Sequence, residues 1–230
     1  MNNLFGRIAI SEKLIQWVNF HSATILVATI LSLILSSLIP LVVVGIINFL
    51  LLIAISNGHW TVSSKFGRAN TLTALRLVAI ISLAFYGASL SNPAIAWIGL
   101  IILILDGVDG WLAKRFQETS PFGAYFDKET DAFFMLTLCL LAVTKNLIWD
   151  WVIFLGLFRY LFSLFLLVYQ TDIKTERRSL LGRSIYVVVM ISLLLTFLPY
   201  PNIHRPLIIF SSFLLLYSFG RDMVWILFKN

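Results

Sequence analysis

The chain has 230 residues, 60% of them apolar and 12% charged, with a formal net charge of +6. Soluble domains carry about 45–50% apolar and about 25% charged residues, so this composition excludes a disordered chain, a coiled coil and an ordinary soluble enzyme and points to a polytopic membrane protein. The single cysteine, Cys139, excludes a disulfide framework, and His21, His59 and His204 are too dispersed to suggest a histidine metal cluster.

Residues 1–21 read as a weakly basic cytoplasmic or interfacial segment. Positions 4–18 alternate apolar and polar groups around Phe5, Arg7, Lys13 and Trp17. That pattern suits a helix lying on the membrane surface, and equally a plain lead into the first span. A second apolar run follows the first span almost at once, with no small-residue cleavage site, which argues against a cleaved signal peptide. Eight helices are then expected, over about 22–39, 41–56, 71–90, 94–115, 121–144, 150–170, 184–198 and 206–228. A lipid-exposed backbone must satisfy its own hydrogen bonds, so the expected fold is an all-α integral membrane bundle. Pro40, Ser91-Asn92-Pro93 and Pro199-Tyr200-Pro201-Asn202 mark breaks between runs.

With the N-terminus cytoplasmic, fourteen of the seventeen basic residues lie on or near that side. Lys145 and Arg205 fall opposite, and Arg159 sits mid-span. This positive-inside bias predicts a plasma (bacterial inner) membrane protein with a cytoplasmic N-terminus. The net charge then reflects topology and contact with anionic membrane lipids, and no nucleic-acid partner is expected.

Six of the eleven acidic residues crowd between positions 106 and 131: Asp106, Asp109, Glu118, Asp127, Glu129 and Asp131. The apolar run before Asp106, Ile95 to Leu105, supplies only ~16 Å of helix, about half a ~30 Å hydrocarbon core. The span must therefore continue through its aspartates, and the next helix must begin among its own. Intramembrane carboxylates are expensive and usually mark a site. Asp106 and Asp109 share a face with Gly110 and Ala113, while Gly123, Asp127 and Asp131 line the next helix at i, i+4 and i+8. Ser120-Pro121 is an N-cap and N1 pair for that second helix. Four converging carboxylates cannot all ionise without cations, and hard divalent ions such as Mg²⁺ or Mn²⁺ suit oxygen ligands. Simple capping and surface pairing with Lys114, Arg115 and Lys128 would account for one or two of these carboxylates, not four on two facing stripes.

The run Asp106-Gly107-Val108-Asp109-Gly110-Trp111-Leu112-Ala113-Lys114, followed by Gly123, Asp127 and Asp131, resembles the CDP-alcohol phosphotransferase signature, D-x2-D-G-x2-A-R-x8-G-x3-D-x3-D. Every fixed position matches except the arginine, which is Lys114 here. Upstream, Asn70-Thr71-Leu72-Thr73-Ala74-Leu75-Arg76 resembles the N-x-L-T-x-x-R stretch that opens the first core helix of many members. The resemblance implies a six-helix catalytic core over 57–230, preceded by two extra spans in 22–56. Those two spans are open to a structural role, lipid positioning, a dimer contact or a partner site.

The resemblance further implies an integral membrane transferase of phospholipid biosynthesis. Such an enzyme moves a phosphatidyl or other phosphoalcohol group from a CDP-linked lipid donor to a hydroxyl acceptor and releases CMP. Asp106, Asp109 and Asp127 would be metal ligands for two Mg²⁺ or Mn²⁺ ions, and Asp131 the general base and a fourth ligand. Asn70, Thr73, Gly110, Ala113, Lys114 and Gly123 would bind the nucleotide, and a homodimer is implied. Lysine for arginine replaces a planar phosphate fork with a point charge. Arg159 could bind an anionic acceptor or pair internally with a site aspartate. Arg177, Arg178 and Arg183 could gather an acidic acceptor, or serve topology and anionic-lipid contact. The alternative class is a cation transporter using the aspartates as an ion site; the absence of an internal repeat speaks against it.

Overall fold

The structure is a computed structural model that describes residues 2–61, 63–168 and 180–228, without the side chains of 2–11, 180, 222 and 226–228. Among the described residues there are eight α-helices and no strand: α1 (Asn2–Ile34), α2 (Ile39–Ile55), α3 (Arg68–Tyr86), α4 (Asn92–Arg115), α5 (Pro121–Thr144), α6 (Ile153–Val168), α7 (Leu180–Thr196) and α8 (Pro201–Phe228). A short 3-10 turn, Asp150–Val152, leads into α6. Five segments are long and apolar enough to cross a bilayer: Glu12–Ile34, Arg68–Tyr86, Asn92–Arg115, Asp150–Val168 and Pro201–Trp225. The helices α2 and α7 are apolar but shorter, at 17 residues each. Outward faces are rich in large apolar side chains, including Ile30, Ile47, Leu50, Val78, Trp97 and Phe213, as lipid contact requires.

The axis of the bundle is α5, in which Ala132 through Val143 are all buried. Around it pack α3, α6 and α7, with α4 lying against α3 and α7. Glycines permit the close approaches. A Cβ at Gly156 of α6 would stand 2.6 Å from the backbone Cα of Leu136, so α5 and α6 touch there main chain to side-chain-free main chain. Small residues at helix contacts are the usual device in lipid, where apolar burial alone drives no association between helices.

The N-terminal segment and the first span are one continuous helix of 33 residues, with no break at residue 21. The expected start at 22 was late because Leu14, Trp17 and Val18 are already buried in the bundle. Trp17, His21 and Thr24 of this stretch find partners across the α1–α2 hairpin. Trp17 Nε1 donates to the Asn48 carbonyl at 2.9 Å, and the Asn48 amide meets His21 Nδ1 at 3.0 Å and donates to Thr24 Oγ1 at 2.8 Å. Phe49 then sets its ring edge-on against Phe126 and Phe133 of α5. The hairpin thus seals one flank of the core. At the other end of the chain, α8 begins at Pro201 rather than 206, with Pro201 in the first turn, where its missing N–H costs nothing.

Candidate active site

Three helices build the site. Asp106 and Asp109 sit one turn apart on α4, and Asp127 and Asp131 one turn apart on α5. The third helix, α3, packs against both and brings Thr73 and Arg76 between them. Arg76 is fully buried and ion-pairs with all four aspartates. Its Nη2 lies 2.9 Å from Asp106 Oδ1 and 2.5 Å from Asp131 Oδ1. Its Nη1 lies 3.2 Å from Asp127 Oδ1 and also donates to Asp109 Oδ2. Thr73 Oγ1 donates to that same Asp109 oxygen at 3.1 Å.

The cluster is a bowl rather than a sealed cavity. The Asp109 side chain is 3% exposed at its floor, whereas Asp127 is 42% exposed at its lip. One carboxylate oxygen each from Asp106, Asp109 and Asp127 falls within 4.8 Å of the others. This donor set fits hard divalent cations, which take carboxylate oxygens at about 2.0–2.6 Å. The charge count agrees: one guanidinium offsets one of four carboxylates, and the remainder calls for further cations.

The rim is held by a second set of contacts. Ser120 caps α5, its Oγ accepting the Gly123 N–H at 3.0 Å while donating to the Trp60 carbonyl at 2.6 Å. The Asn70 amide donates to the carbonyls of Trp60 and Phe66 at 3.1 and 2.6 Å. Glu118 Oε2 accepts the Ala69 N–H at 3.0 Å and so serves one of the orphan donors at the start of α3. Gly67, just before α3, has φ +84°, a left-handed conformation in which a side chain would also strike Thr61 and Glu118.

Several residues singled out in the sequence meet here. Beside Gly110 the space is open, whereas a Cβ at Gly123 would stand 2.8 Å from Asn70 Oδ1. Gly123 therefore lets α5 approach the Asn70 side chain that braces the rim. Ala113 is half-buried, and Lys114 and Arg115 are exposed in the last turn of α4. Arg183 is exposed near the start of α7, while Arg177 and Arg178 lie outside the described residues. Arg159 points elsewhere: its Nε and Nη2 donate to Glu129 Oε1 at 3.1 and 2.6 Å. Glu129 is fully buried on the side of α5 turned away from Asp127 and Asp131.

Two of these side chains had no role assigned from the sequence. Arg76 was legible only as part of a motif, although Asn70, Thr73 and Arg76 follow one another at i, i+3 and i+6 along one face of α3. Glu129 was legible as one of the six clustered acids. Its position two residues from each neighbouring aspartate, roughly 200° around the helix, was the signal that it serves another face.

Comparison with known proteins agrees with the motif. A family model described as CDP-alcohol phosphatidyltransferase matches residues 66–219. A CDP-diacylglycerol–inositol 3-phosphatidyltransferase of Arabidopsis thaliana is 42% identical over 52 residues, which is 23% of this chain and 22% of that protein. The chain's match thus spans under a quarter of that relative's length. No solved structure gives a significant match.

Proposed function

The chain belongs to the CDP-alcohol phosphatidyltransferase family, matched over residues 66–219, and from that premise we propose that it transfers a phosphatidyl group from CDP-diacylglycerol to a hydroxyl acceptor with release of CMP. The observation that carries this reading is the convergence of Asp106, Asp109, Asp127 and Asp131 on the buried Arg76, within helices of a membrane bundle. A lipid donor needs such a place, because its acyl chains stay in the bilayer while its nucleotide stays in water.

Asp106, Asp109 and Asp127 would hold Mg²⁺ or Mn²⁺, two ions by the resemblance, with Asp131 beside them. Bound there, such ions supply counter-charge to the diphosphate and stabilise the leaving CMP. Asp131 accepts the proton of the acceptor hydroxyl. The hydroxyl oxygen bonds to the phosphorus that carries diacylglycerol, and the bond from that phosphorus to the CMP oxygen breaks. Arg76 and Thr73 fix the carboxylates before substrate arrives, so little reorganisation is left for the reaction step. The open space beside Gly110 gives the nucleotide room, with Ala113 and Lys114 along the same helix and Asn70, Thr73 and Gly123 opposite.

The cytoplasmic orientation, the plasma-membrane location and the homodimer belong to the same proposal, as do Arg177, Arg178 and Arg183 as acceptor contacts, whereas the pairing of Arg159 with Glu129 speaks for an internal role over an acceptor contact. Family membership favours transfer over the ion-path alternative. The relative's printed name makes inositol the first acceptor to try. The test is to supply purified protein with labelled CDP-diacylglycerol, Mg²⁺ and separate portions of inositol, inositol phosphate and glycerol phosphate. A labelled phospholipid formed together with CMP supports the reading; CMP-free mixtures with all three alcohols reject it.

A further inference from the structure

On α7 the site has a wall with a polar group that no contact explains. The Tyr186 hydroxyl is buried and has no hydrogen-bond partner among the described residues. Tyr186 shares a stripe with Met190, Leu193 and Phe197, at i, i+4, i+7 and i+11, and these three are 0–2% exposed. The tyrosine therefore faces the bundle, not lipid. Its depth follows from helix register. Gly99 of α4 lies against the Leu194 side chain of α7, and the two helices run antiparallel. From that contact Asp106 is seven residues along α4 and Tyr186 eight residues back along α7, about 10 and 12 Å by helix rise. The hydroxyl is thus level with the aspartates, on a helix that packs against both α4 and α5.

None of those carboxylates takes its hydrogen bond. A buried donor without an acceptor costs stability that a phenylalanine would not cost. Such a group persists where a ligand completes it. An oxygen acceptor entering between α7 and α5 would complete it. One turn from Tyr186 toward the start of α7, Arg183 is exposed, so donors line this helix from its open end to the level of the aspartates. We propose that Tyr186 Oη donates a hydrogen bond to the acceptor alcohol and holds it against Asp131, which makes α7 the acceptor wall of the site. This rests on the reading of Asp131 as the base.

The test compares wild type with Tyr186→Phe, which removes one oxygen and leaves the ring packing. With inositol, inositol phosphate and glycerol phosphate as probes, the KM of the alcohol in use rises about tenfold, the worth of one good hydrogen bond. The KM for CDP-diacylglycerol stays within twofold, and the thermal midpoint of the purified protein is unchanged or higher. Tyr160→Phe removes another unpartnered buried tyrosine hydroxyl, that of α6 beside His21, and leaves both KM values unchanged. If Tyr186→Phe keeps the acceptor KM within twofold, or raises donor and acceptor KM alike, α7 is not the acceptor wall, and the transfer reaction itself stands. A wild type that releases no CMP with any probe overturns the transfer reading, and this inference with it.

Discussion

Arg76 Nη2 and Asp131 Oδ1 lie 2.5 Å apart although 55 residues separate them in the chain. That contact ties the first helix of the family core to the second helix of the aspartate motif. Through the other nitrogen, the same guanidinium reaches Asp109 and Asp127. A buried charge is tolerated only when it is paired and hydrogen-bonded, and here one cation serves four carboxylates.

Arg76→Ala is accordingly expected to be severe. Breaking a buried ion pair by removing one partner typically costs about 3–5 kcal/mol. The thermal midpoint of the purified protein should fall steeply in metal-free buffer, and Mg²⁺ should narrow the gap to wild type by supplying the lost positive charge. An unchanged midpoint in metal-free buffer would show that Arg76 does not hold the cluster together.

The Arg159–Glu129 pair gives a second expectation. Arg159→Ala leaves Glu129 buried and unpaired, and the thermal midpoint should fall. The double variant Glu129→Gln with Arg159→Met should recover most of that loss, since a buried pair often tolerates replacement by neutral groups of similar size. The acceptor KM of the recovered variant then separates the two roles of Arg159. A rise of about tenfold assigns it to the acceptor, and an unchanged value leaves it as internal support for α5 and α6. A double variant as unstable as the single one would contradict the pairing account.

Lys114 stands in the last turn of α4 with its side chain exposed, where the family signature has arginine. Lys114→Arg restores the planar fork and should keep or raise turnover. A drop beyond about tenfold, ~1.4 kcal/mol of barrier, would mean that this chain requires the point charge.

Asp131→Asn keeps the shape of the side chain and an oxygen ligand but cannot accept a proton at neutral pH. Loss of a general base typically costs about 10²–10⁴ in rate. The kcat should therefore fall at least about a hundredfold while nucleotide affinity survives within severalfold. Retention of more than a tenth of wild-type kcat, with chemistry rate-limiting, would pass the base role to another group.

Much of this arrangement was visible in one dimension. Helical spacing placed Asp106 and Asp109 on one stripe and Asp127 and Asp131 on another that faces it, and Ser120 caps α5 as its sequence context implied. What escaped was mostly long-range. The partners of Arg76 lie 30 to 55 residues away, and nothing local marks an arginine as the centre of four ion pairs. The start of α1 escaped for a related reason. Viewed alone, the stretch through Trp17 suits a helix lying on the membrane surface, yet across the hairpin Asn48 supplies partners that let Trp17 and His21 enter the bundle. Tyr186 left no sequence signal, since an aromatic residue in an apolar helix is ordinary.

The most direct test of the whole account is CMP release from CDP-diacylglycerol by the purified chain, titrated with Mg²⁺ and then with chelator, beside Asp109→Ala. Asp109 lies at the floor of the bowl, where Arg76 and Thr73 both donate to one of its oxygens. The account predicts that turnover rises with Mg²⁺, stops with chelator and returns on re-addition of metal. In Asp109→Ala, turnover and nucleotide affinity should be lost together at every metal concentration. Full turnover in chelator, or an Asp109→Ala variant that works like wild type, would contradict the claim that these aspartates carry a metal-dependent phosphatidyl transfer.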